Sequence, residues 1–440
     1  MKRWITTLCA LLIMWPPMFA QVAKPAGKPH TNSAALHTLP AATILPGAYQ
    51  IGEYLPMLKG KRVGIFANHT AMVQNTHLVD TLFKLGIKIT KIFGPEHGFR
   101  GTADAGEKVE NYTDPQTGVP VVSLYGKKRK ASAEDLADVD VLLFDIQDVG
   151  VRFYTFISSL QEFMESAVQH NKPLIVLDRP NPNGFYVDGP VLDTAYRSFV
   201  GMQAVPVVYG MTMGEYAMFL LGEGLLDKGA VQQRAGGNKK KQSSNSQVKK
   251  PLALTVIKCR NYTHQSKYVL PIKPSPNLPD AGAVYWYPST CFFEGTVLSE
   301  GRGTEKPFQL FGHPSLPDTL YPFTPISRDG AKTPKLLNQR CYGWNISGSN
   351  EAVLKEVDNR LQLKWLLQAY QLFPQKNTFF IVPKKDNLKP TEIFFNKLAG
   401  NNELMQQIIA GKTEAEIRAS WQPKLEAFKK IRRKYLLYAE

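Results

Sequence analysis

A glutamate and a histidine are adjacent in a short polar stretch that directly follows an apolar run. Residues 89–93 have the character of a buried strand, and Gly94 and Pro95 end it abruptly. Glu96 and His97 therefore fall on a loop at the strand's carboxyl end, where open parallel α/β sheets bind ligands. A carboxyl group there can transfer protons, and an imidazole can do the same or orient a carboxylate. A solvated turn is the alternative for this stretch taken alone.

Three further apolar runs end in polar residues in the same way. The residues that follow them are Asn68 and His69 after residues 62–67, Asp145 to Asp148 after residues 139–144, and Asp178 and Arg179 after residues 173–177. If the strands are parallel, these groups converge on one rim. Four such ends in one sheet favour a site over four unrelated loops.

Strand-like runs alternate with helix-like segments through the first part of the chain. The strand before Glu96 covers residues 87–93, and further strands are predicted over residues 119–124, 205–208 and 252–258. The predicted helices cover residues 76–85, 156–168 and 213–226. This alternation predicts an α/β fold with a mainly parallel sheet whose faces are covered, over residues 44–265.

The character of the chain changes at about residue 266, where prolines and aromatic residues become dense. The aromatic residues Tyr285, Trp286, Tyr287, Phe292 and Phe293 lie beside the Glu and Arg of residues 293–304 on irregular backbone. They could form a wall on which apolar sugar faces stack, or a connection packed on the core. Residues 352–373 are amphipathic, and Thr413 to Glu416 form a capping box at the start of another helix. We expect residues 266–440 to form a smaller second domain.

The first twenty residues have the layout of a secretory signal peptide. Lys2 and Arg3 precede an apolar run over residues 5–14, which is too short to span a bilayer, and Ala20 closes the segment. Residues 21–43 have the composition of a disordered leader. No other segment approaches transmembrane length. We expect an exported protein without a membrane span, in the periplasm or outside the cell, and the sequence does not indicate an oligomeric state.

The net charge of +16 does not indicate a nucleic-acid partner, because we find no basic face with interleaved aromatics and no nucleic-acid-binding motif. Five of the lysines lie in residues 236–250, which have the composition of a solvated loop. A positive surface also suits anionic cell-wall material. After removal of Cys9, the thiols are Cys259, Cys291 and Cys341. Cys291 and Cys341 could pair, and buried free thiols are the alternative.

Several common site motifs are missing from the sequence. No G-x-G-x-x-G follows the first strand, no G-x-S-x-G elbow is present, and no histidine or cysteine pair has zinc spacing. His69 and His97 could meet at a metal, but histidines in a polar cleft more often hydrogen-bond a substrate or orient a carboxylate. We therefore expect neither a metal nor a cofactor.

Long motifs along the chain resemble those of one family, the secreted exo-β-N-acetylmuramidases of the NamZ type. The likeness covers about residues 45–440, with the Lys-rich loop as an insertion. The matching stretches are Asn-His-Thr (68–70), Gly-Pro-Glu-His-Gly-Phe-Arg-Gly (94–101), Asp-Ile-Gln-Asp-Val-Gly-Val-Arg-Phe-Tyr-Thr (145–155), Asp-Arg-Pro-Asn-Pro (178–182), Asp-Gly-Pro (188–190), Pro-Ser-Pro-Asn-Leu-Pro (274–279), Phe-Glu-Gly-Thr (293–296), Ser-Glu-Gly-Arg-Gly-Thr (299–304) and Tyr-Leu-Leu-Tyr (435–438).

The resemblance implies a Rossmann-like domain and a smaller α+β C-terminal domain that closes an active-site cleft. It implies release of terminal N-acetylmuramic acid (MurNAc) from the non-reducing end of peptidoglycan fragments such as MurNAc-GlcNAc, where GlcNAc is N-acetylglucosamine. Among the matched positions, Glu96 resembles the family's proposed catalytic glutamate.

Glycoside hydrolysis usually needs a general acid and a second carboxylate. Glu96 is our candidate for the acid, with Phe93, Pro95 and Phe99 placed to desolvate it. The candidates for the second group are Asp148, then Glu300, then Asp104. Alternatively, the acetamido group of the substrate is the nucleophile, and Asp148 or His97 orients it.

The lactyl carboxylate distinguishes muramic acid from glucosamine, and a buried arginine could bind it through two hydrogen bonds. Arg152, Arg179 and Arg302 are the candidates, and a structural ion pair is the alternative for each. Asn68 and His69 are expected to hydrogen-bond the sugar hydroxyls or the acetamido group. Tyr154 and Asp178, which also lie in matched motifs, complete the predicted substrate contacts.

Two other functions remain open from the sequence. A non-catalytic peptidoglycan-binding protein could keep the same cleft and lack turnover. A hydrolase of another amino sugar could use the same groups on a different substrate.

Overall fold

The structure is a computed structural model that describes residues 43–96, 98–101, 110–226 and 251–440. The predicted signal peptide, most of the predicted leader, His97, Asp104 and the Lys-rich loop lie outside the described residues.

A seven-stranded sheet organises the first part of the chain. Its strands are β1 (Arg62–Ala67), β4 (Lys88–Gly94), β5 (Tyr112–Thr113), β6 (Pro120–Ser123), β7 (Val141–Asp145), β8 (Leu174–Leu177) and β9 (Leu254–Ile257), in the order β5-β6-β4-β1-β7-β8-β9. All neighbouring pairs are parallel except β5 with β6 at one edge. The predicted mainly parallel sheet is confirmed. The short strands β2 (Met72–Val73) and β3 (Thr76–His77) form a separate hairpin.

Helices cover both faces of the sheet. They are α1 (Ile51–Leu58), α2 (Leu78–Lys84), α3 (Phe156–Gln169) and α4 (Met213–Gly222). Because successive side chains of a strand point to opposite faces, Ile65 of β1 packs in one core with α1 and α2, whereas Phe66 packs in another with α3 and α4. Both faces are therefore apolar, which explains why the strands appear in the sequence as continuous hydrophobic runs.

The remainder of the chain is a smaller α+β region, whose core also includes residues of the first part such as Val149, Val151 and Val208. It contains the helices α5 (Ala281–Thr290), α6 (Asn350–Val357), α7 (Lys364–Leu372), α8 (Phe394–Ala399), α9 (Glu403–Ile409) and α10 (Glu414–Arg432), and the strands β10 (Leu310–His313), β11 (Tyr321–Phe323) and β12 (Cys341–Asn345). The strands form an antiparallel sheet in the order β10-β12-β11. The predicted capping box is present, since Thr413 and Glu416 bond each other's backbone N–H groups at the start of α10.

Two predicted elements differ from the structure. Residues 205–208 are not a strand of the sheet; Val208 makes only isolated bridges with Val151 and Asp188, because this segment crosses over the strand ends. The predicted helix over residues 352–373 is two helices, α6 and α7. Asp358 ends α6 in the left-handed conformation with φ of 51°, which a continuous helix cannot contain.

The described cysteines, Cys259, Cys291 and Cys341, are buried free thiols, so Cys291 and Cys341 do not form a disulfide here. None of the helices in the described part of the chain combines the length and apolar character that a membrane crossing requires.

Candidate active site

A cleft of about 1020 Å³ opens at the carboxyl edge of the sheet. The loops after β4 and β6 and the start of α3 form one side of it, and segments of the C-terminal region form the other. Its lining includes the acidic residues Glu96, Glu110 and Glu294, the basic residues Lys127, Lys128, Arg129 and Arg302, and the aromatic residues Tyr125, Phe153, Tyr154, Phe156, Phe199, Tyr287 and Phe308.

Glu96 lies on a tight turn that follows β4. The backbone N–H of Gly98 donates to the carbonyl of Pro95 at 3.0 Å, which closes the turn around Glu96. Gly98 has a φ of 75°, a conformation that glycine adopts without strain. The predicted loop is thus a turn that directs Glu96 toward the cleft.

Arg100 anchors this turn to the rest of the domain. Its guanidinium donates two hydrogen bonds of 2.9 Å to Asp80 in α2, and two more, of 3.2 and 2.9 Å, to Asp114. Burial opposes the charge of Asp114, but the hydrogen bonds from Arg100 and Thr117 lower its pKa. This charged cluster restrains the backbone immediately after Glu96.

Tyr125, in the loop after β6, holds the Glu96 side chain. Its hydroxyl donates to Oε1 of Glu96 at 2.8 Å. Burial, and then the negative charge of Glu96, raise the pKa of Tyr125, so the hydroxyl stays protonated as a donor. The orientation of the carboxyl group is therefore set by a neighbouring strand end.

Glu294 and Arg302 form an ion pair on the other side of the cleft. Nη2 of Arg302 donates to Oε1 of Glu294 at 2.8 Å, and Nε lies 3.3 Å from Oε1 of Glu300. Glu294 belongs to a 3₁₀ turn, Cys291–Gly295, that extends from the end of α5. Gly301, with φ of 82°, has the Leu310 carbonyl 2.5 Å from where a Cβ would lie, so a side chain there would displace the Arg302 segment.

Aromatic rings line the cleft between the two acidic sides. The ring of Tyr287 packs edge-on against Tyr154 and Phe308, with centroids 5.8 and 4.8 Å away. The Tyr154 hydroxyl donates to the Pro274 carbonyl at 2.7 Å, which fixes the ring. Tyr287 is the one residue of the predicted aromatic wall 285–287 that lines this cleft; Phe292 and Phe293 are core residues instead.

Asp148 is buried beside the cleft rather than lining it. Its Oδ2 accepts hydrogen bonds from the Gly150 N–H, at 2.6 Å, and from the Tyr209 hydroxyl, whereas Oδ1 is buried without a partner. Burial raises the pKa of Asp148 to about 7. Tyr154 lies close enough to feel the charges of both Asp148 and Glu96. Asp148 is therefore buried and does not line the cleft.

Arg152 is fully buried and binds backbone. Its guanidinium donates to the carbonyls of Pro190, Val205 and Leu398 at 2.7–2.9 Å. Burial lowers the pKa of Arg152 to about 9. These bonds join the segment that crosses the strand ends to α8, and Arg152 is not among the residues that line the cleft.

Asp178 and Arg179 are also used inside the protein. Arg179 forms a buried ion pair with Asp145, with donor–acceptor distances of 2.5 and 2.8 Å. Asp178 accepts hydrogen bonds from the Thr212 hydroxyl, the Gly214 N–H and, at 2.6 Å, the Tyr438 hydroxyl. Burial raises the pKa of Asp178 to about 6. The polar residues at the ends of β7 and β8 therefore make structural contacts within the protein.

The remaining predicted residues have contacts within the fold. Asn68 is buried, and its Oδ1 accepts from the backbone and side chain of Thr70. His69 Nε2 lies 2.8 Å from the Lys273 carbonyl. Glu300 is buried and pairs with Lys335 at 2.8 Å. Of the predicted residues within the described ranges, the structure brings Glu96, Tyr154 and Arg302 together in the cleft.

Sequence reasoning missed Glu294, Tyr125 and Arg129, which also line the cleft. Glu294 belongs to the Phe-Glu-Gly-Thr motif, which was the one available signal. Tyr125 follows a predicted strand, as Glu96 does, but a tyrosine at that position is not distinctive. Among the described residues, no three His, Cys, Asp or Glu side chains form a group that could hold a metal ion.

Open parallel sheets bind ligands at their carboxyl edge, and most glycoside hydrolases use a pair of carboxyl groups that flank the scissile bond. The chain belongs to the NamZ exo-β-N-acetylmuramidase family: the model of the family's N-terminal domain matches residues 63–282, and that of the C-terminal domain matches residues 285–438.

Individual relatives match nearly the whole chain. The peptidoglycan β-N-acetylmuramidase NamZ of Bacillus subtilis (strain 168) is 35% identical over 458 aligned positions that cover 100% of both chains. Among solved structures, a DUF1343 family protein of Bacteroides fragilis NCTC 9343 is 41% identical, with a TM-score of 0.77 over 91% of this chain and 100% of its own. Another from the same organism is 29% identical, with a TM-score of 0.71 over 90% and 99%.

Proposed function

We propose that this protein is an exo-acting glycosidase that releases terminal MurNAc from the non-reducing end of peptidoglycan fragments. The observation that carries the proposal is the pair of carboxyl groups, Glu96 and Glu294, in one aromatic cleft of a NamZ-family chain. Most glycoside hydrolases use two carboxyl groups, one on either side of the glycosidic bond that they cleave.

Glu96 is the proposed general acid. Tyr125 holds its carboxyl group, and the hydrogen bond from Gly98 to Pro95 closes the backbone turn on which it lies. In this role it transfers its proton to the glycosidic oxygen as the bond to the anomeric carbon breaks, and the departing sugar leaves with a free hydroxyl.

Glu294 is the proposed second carboxylate, in place of Asp148 and Glu300. Its ion pair with Arg302 holds a negative charge in the cleft, as either a nucleophile or a general base requires. Glu300 is buried against Lys335, and Asp148 is buried against Tyr209 and the Gly150 N–H, so neither lines the cleft. If the acetamido group of the substrate attacks instead, Glu294 is the group that would orient it.

Release of nitrophenol from p-nitrophenyl β-MurNAc by the mature protein tests the proposal, with and without a chelator. We expect turnover in both conditions. Binding without turnover would replace the proposal with the non-catalytic binding protein. Equal rates on the MurNAc and GlcNAc glycosides would indicate a hydrolase of amino sugars in general.

The proposed substrate lies outside the cytoplasm, and we propose that the chain is exported. The basic residues Lys2 and Arg3 and the apolar run that follows them support this proposal. Cell fractionation with N-terminal sequencing of the mature protein tests it; a full-length cytoplasmic product would contradict it.

A further inference from the structure

We infer that Arg129, held against Phe199 at the edge of the cleft, is the receptor for the carboxylate of the bound sugar. The inference rests on the proposed function and identifies how the same site selects muramic acid. Arg129 was not among the arginines that the sequence suggested for this role.

The three arginines suggested by sequence have their guanidinium groups engaged within the fold. Arg152 binds three backbone carbonyls, Arg179 pairs with Asp145, and Arg302 pairs with Glu294 and Glu300. A guanidinium that already faces a carboxylate has fewer N–H groups to offer to a second one. These contacts make the earlier candidates poorer receptors for the lactyl carboxylate.

Arg129 lines the cleft and pairs with no carboxylate in the described parts of the chain. Its acidic neighbours are engaged by the lysines on either side. Lys128 binds Asp135 at 2.6 Å, and Lys130 lies 2.5 Å from Glu165 and 3.5 Å from Glu162. The lysines on either side of Arg129 thus form ion pairs within the fold, and the charge of Arg129 remains available to a ligand.

Phe199 orients the Arg129 side chain. The guanidinium carbon lies 4.0 Å from the centroid of the Phe199 ring, and both residues line the cleft. A guanidinium stacked on a ring keeps its N–H groups at its edge, where they can donate two parallel bonds to a carboxylate. The aromatic contact therefore prepares Arg129 for an anionic ligand without neutralising it.

The position relative to Glu96 agrees with binding to the sugar that is cleaved. Arg129 lies four residues after Tyr125 in the same loop, and its charge acts on the Tyr125 hydroxyl that holds Glu96. Reaction at the anomeric carbon and recognition of the lactyl group concern one sugar ring, so both groups must contact the same subsite. The loop after β6 supplies Arg129 and also Tyr125, which holds Glu96 of the neighbouring loop.

Arg129→Ala and Arg129→Lys test this inference with two substrates that differ only at the lactyl carboxyl group: p-nitrophenyl β-MurNAc, which is anionic there, and its neutral lactyl methylamide. We expect Arg129→Ala to lose about tenfold to a hundredfold in kcat/KM on the acid, the usual value of a charged hydrogen bond, and little on the amide. Arg129→Lys should recover part of the loss, because a lysine keeps the charge without the two-bond geometry.

Arg340→Ala is the matched control, since Arg340 is an exposed arginine over an aromatic ring, Tyr342, away from the cleft. Wild-type turnover with an unchanged acid-to-amide ratio in Arg129→Ala would overturn the inference and leave the proposed function standing. If the wild type does not turn over, calorimetric binding of free MurNAc decides the inference separately. Weaker binding of MurNAc by Arg129→Ala than by the wild type and Arg340→Ala would support the inference. Equal binding by the wild type and Arg129→Ala would overturn it.

Discussion

The hydroxyl of Tyr125 donates a 2.8 Å hydrogen bond to the carboxyl group of Glu96 and so connects the loops after two neighbouring strands, β6 and β4. The geometry of the proposed acid is therefore set by the sheet itself. Each loop begins where its strand ends, and the parallel register of β4 and β6 fixes the distance between them.

Replacement of Glu96 by Gln should separate acid catalysis from binding. We expect hydrolysis of the disaccharide MurNAc-GlcNAc to fall by about 10²–10⁴-fold, the usual contribution of a general acid. The loss on the p-nitrophenyl glycoside should be smaller, because nitrophenolate leaves without full protonation. Steady-state kinetics on both substrates and calorimetric binding of MurNAc measure these effects.

The control for that variant is Glu110→Gln, which changes another acidic residue of the cleft lining. We expect it to alter both rates little. Normal hydrolysis of the disaccharide by Glu96→Gln would show that another group protonates the leaving oxygen.

Replacement of Glu294 by Gln should lower the rate on both substrates to the same extent. The second carboxylate acts at the anomeric carbon or on the attacking water, so the quality of the leaving group does not compensate for its loss. Glu305→Gln, a largely exposed carboxylate three residues after Arg302, is the matched control. A Glu294→Gln protein with wild-type kcat on either substrate would contradict the role.

Replacement of Arg152 by Met should destabilise the protein without changing its choice of sugar. Three backbone carbonyls would lose their donor, and we expect the free energy of unfolding to fall by about 2–4 kcal/mol. The cost of burying the charge, visible in the lowered pKa, offsets part of the loss. Urea unfolding measures it, with Arg340→Met as an exposed comparison. A changed ratio of MurNAc to GlcNAc rates would instead place Arg152 at the substrate.

Asp148 should make the stability depend on pH. Burial raises its pKa from 3.8 to about 7 in the folded protein, so the folded state retains a proton that the unfolded state has lost between these values. Its stabilising contribution is full below about pH 4 and is lost as the pH rises through 7, by up to roughly 1.4 kcal/mol per pH unit. Asp178 changes stability in the same direction, with a pKa of about 6.

Asp148→Asn isolates the effect, because asparagine has nearly the same shape and does not titrate. The difference in unfolding free energy between the wild type and this variant should shrink between pH 5 and pH 8. Urea curves at several pH values would show it, and a constant difference would mean that Asp148 is ionised throughout.

The sheet could be predicted because both of its faces are buried. Strands such as β1 and β7 are continuous apolar runs, and their ends are marked by polar residues or glycine. The segment 205–208 has the same apolar character but crosses over the strand ends. Its carbonyls accept hydrogen bonds from Arg152 there, and it does not pair with a strand of the sheet. Local pattern cannot distinguish these two uses of a buried apolar run.

A site residue could be predicted where its position at the end of its own strand is enough to place it in the cleft. Glu96 directly follows β4, and parallel topology brings it to the edge. Arg152 and Asp178 also follow strands, but distant segments cover them, including the Leu398 carbonyl and the Tyr438 hydroxyl. Glu294 lies in a 3₁₀ turn beside buried phenylalanines, and Arg129 lies in a run of four basic residues that resembles a solvated loop. Their roles depend on tertiary contacts that no local pattern records.

The bond from Tyr438 to Asp178 joins residues 260 positions apart, and the same hydroxyl accepts a bond from the Cys259 N–H. During synthesis, the α/β sheet can be assembled from its strands long before Tyr438 has left the ribosome. Until then, the carboxyl group at the end of β8 lacks one of its donors. Folding of the α/β sheet is thus completed by a residue made long after its strands, and a chain cut before Tyr438 is expected to be less stable around β8.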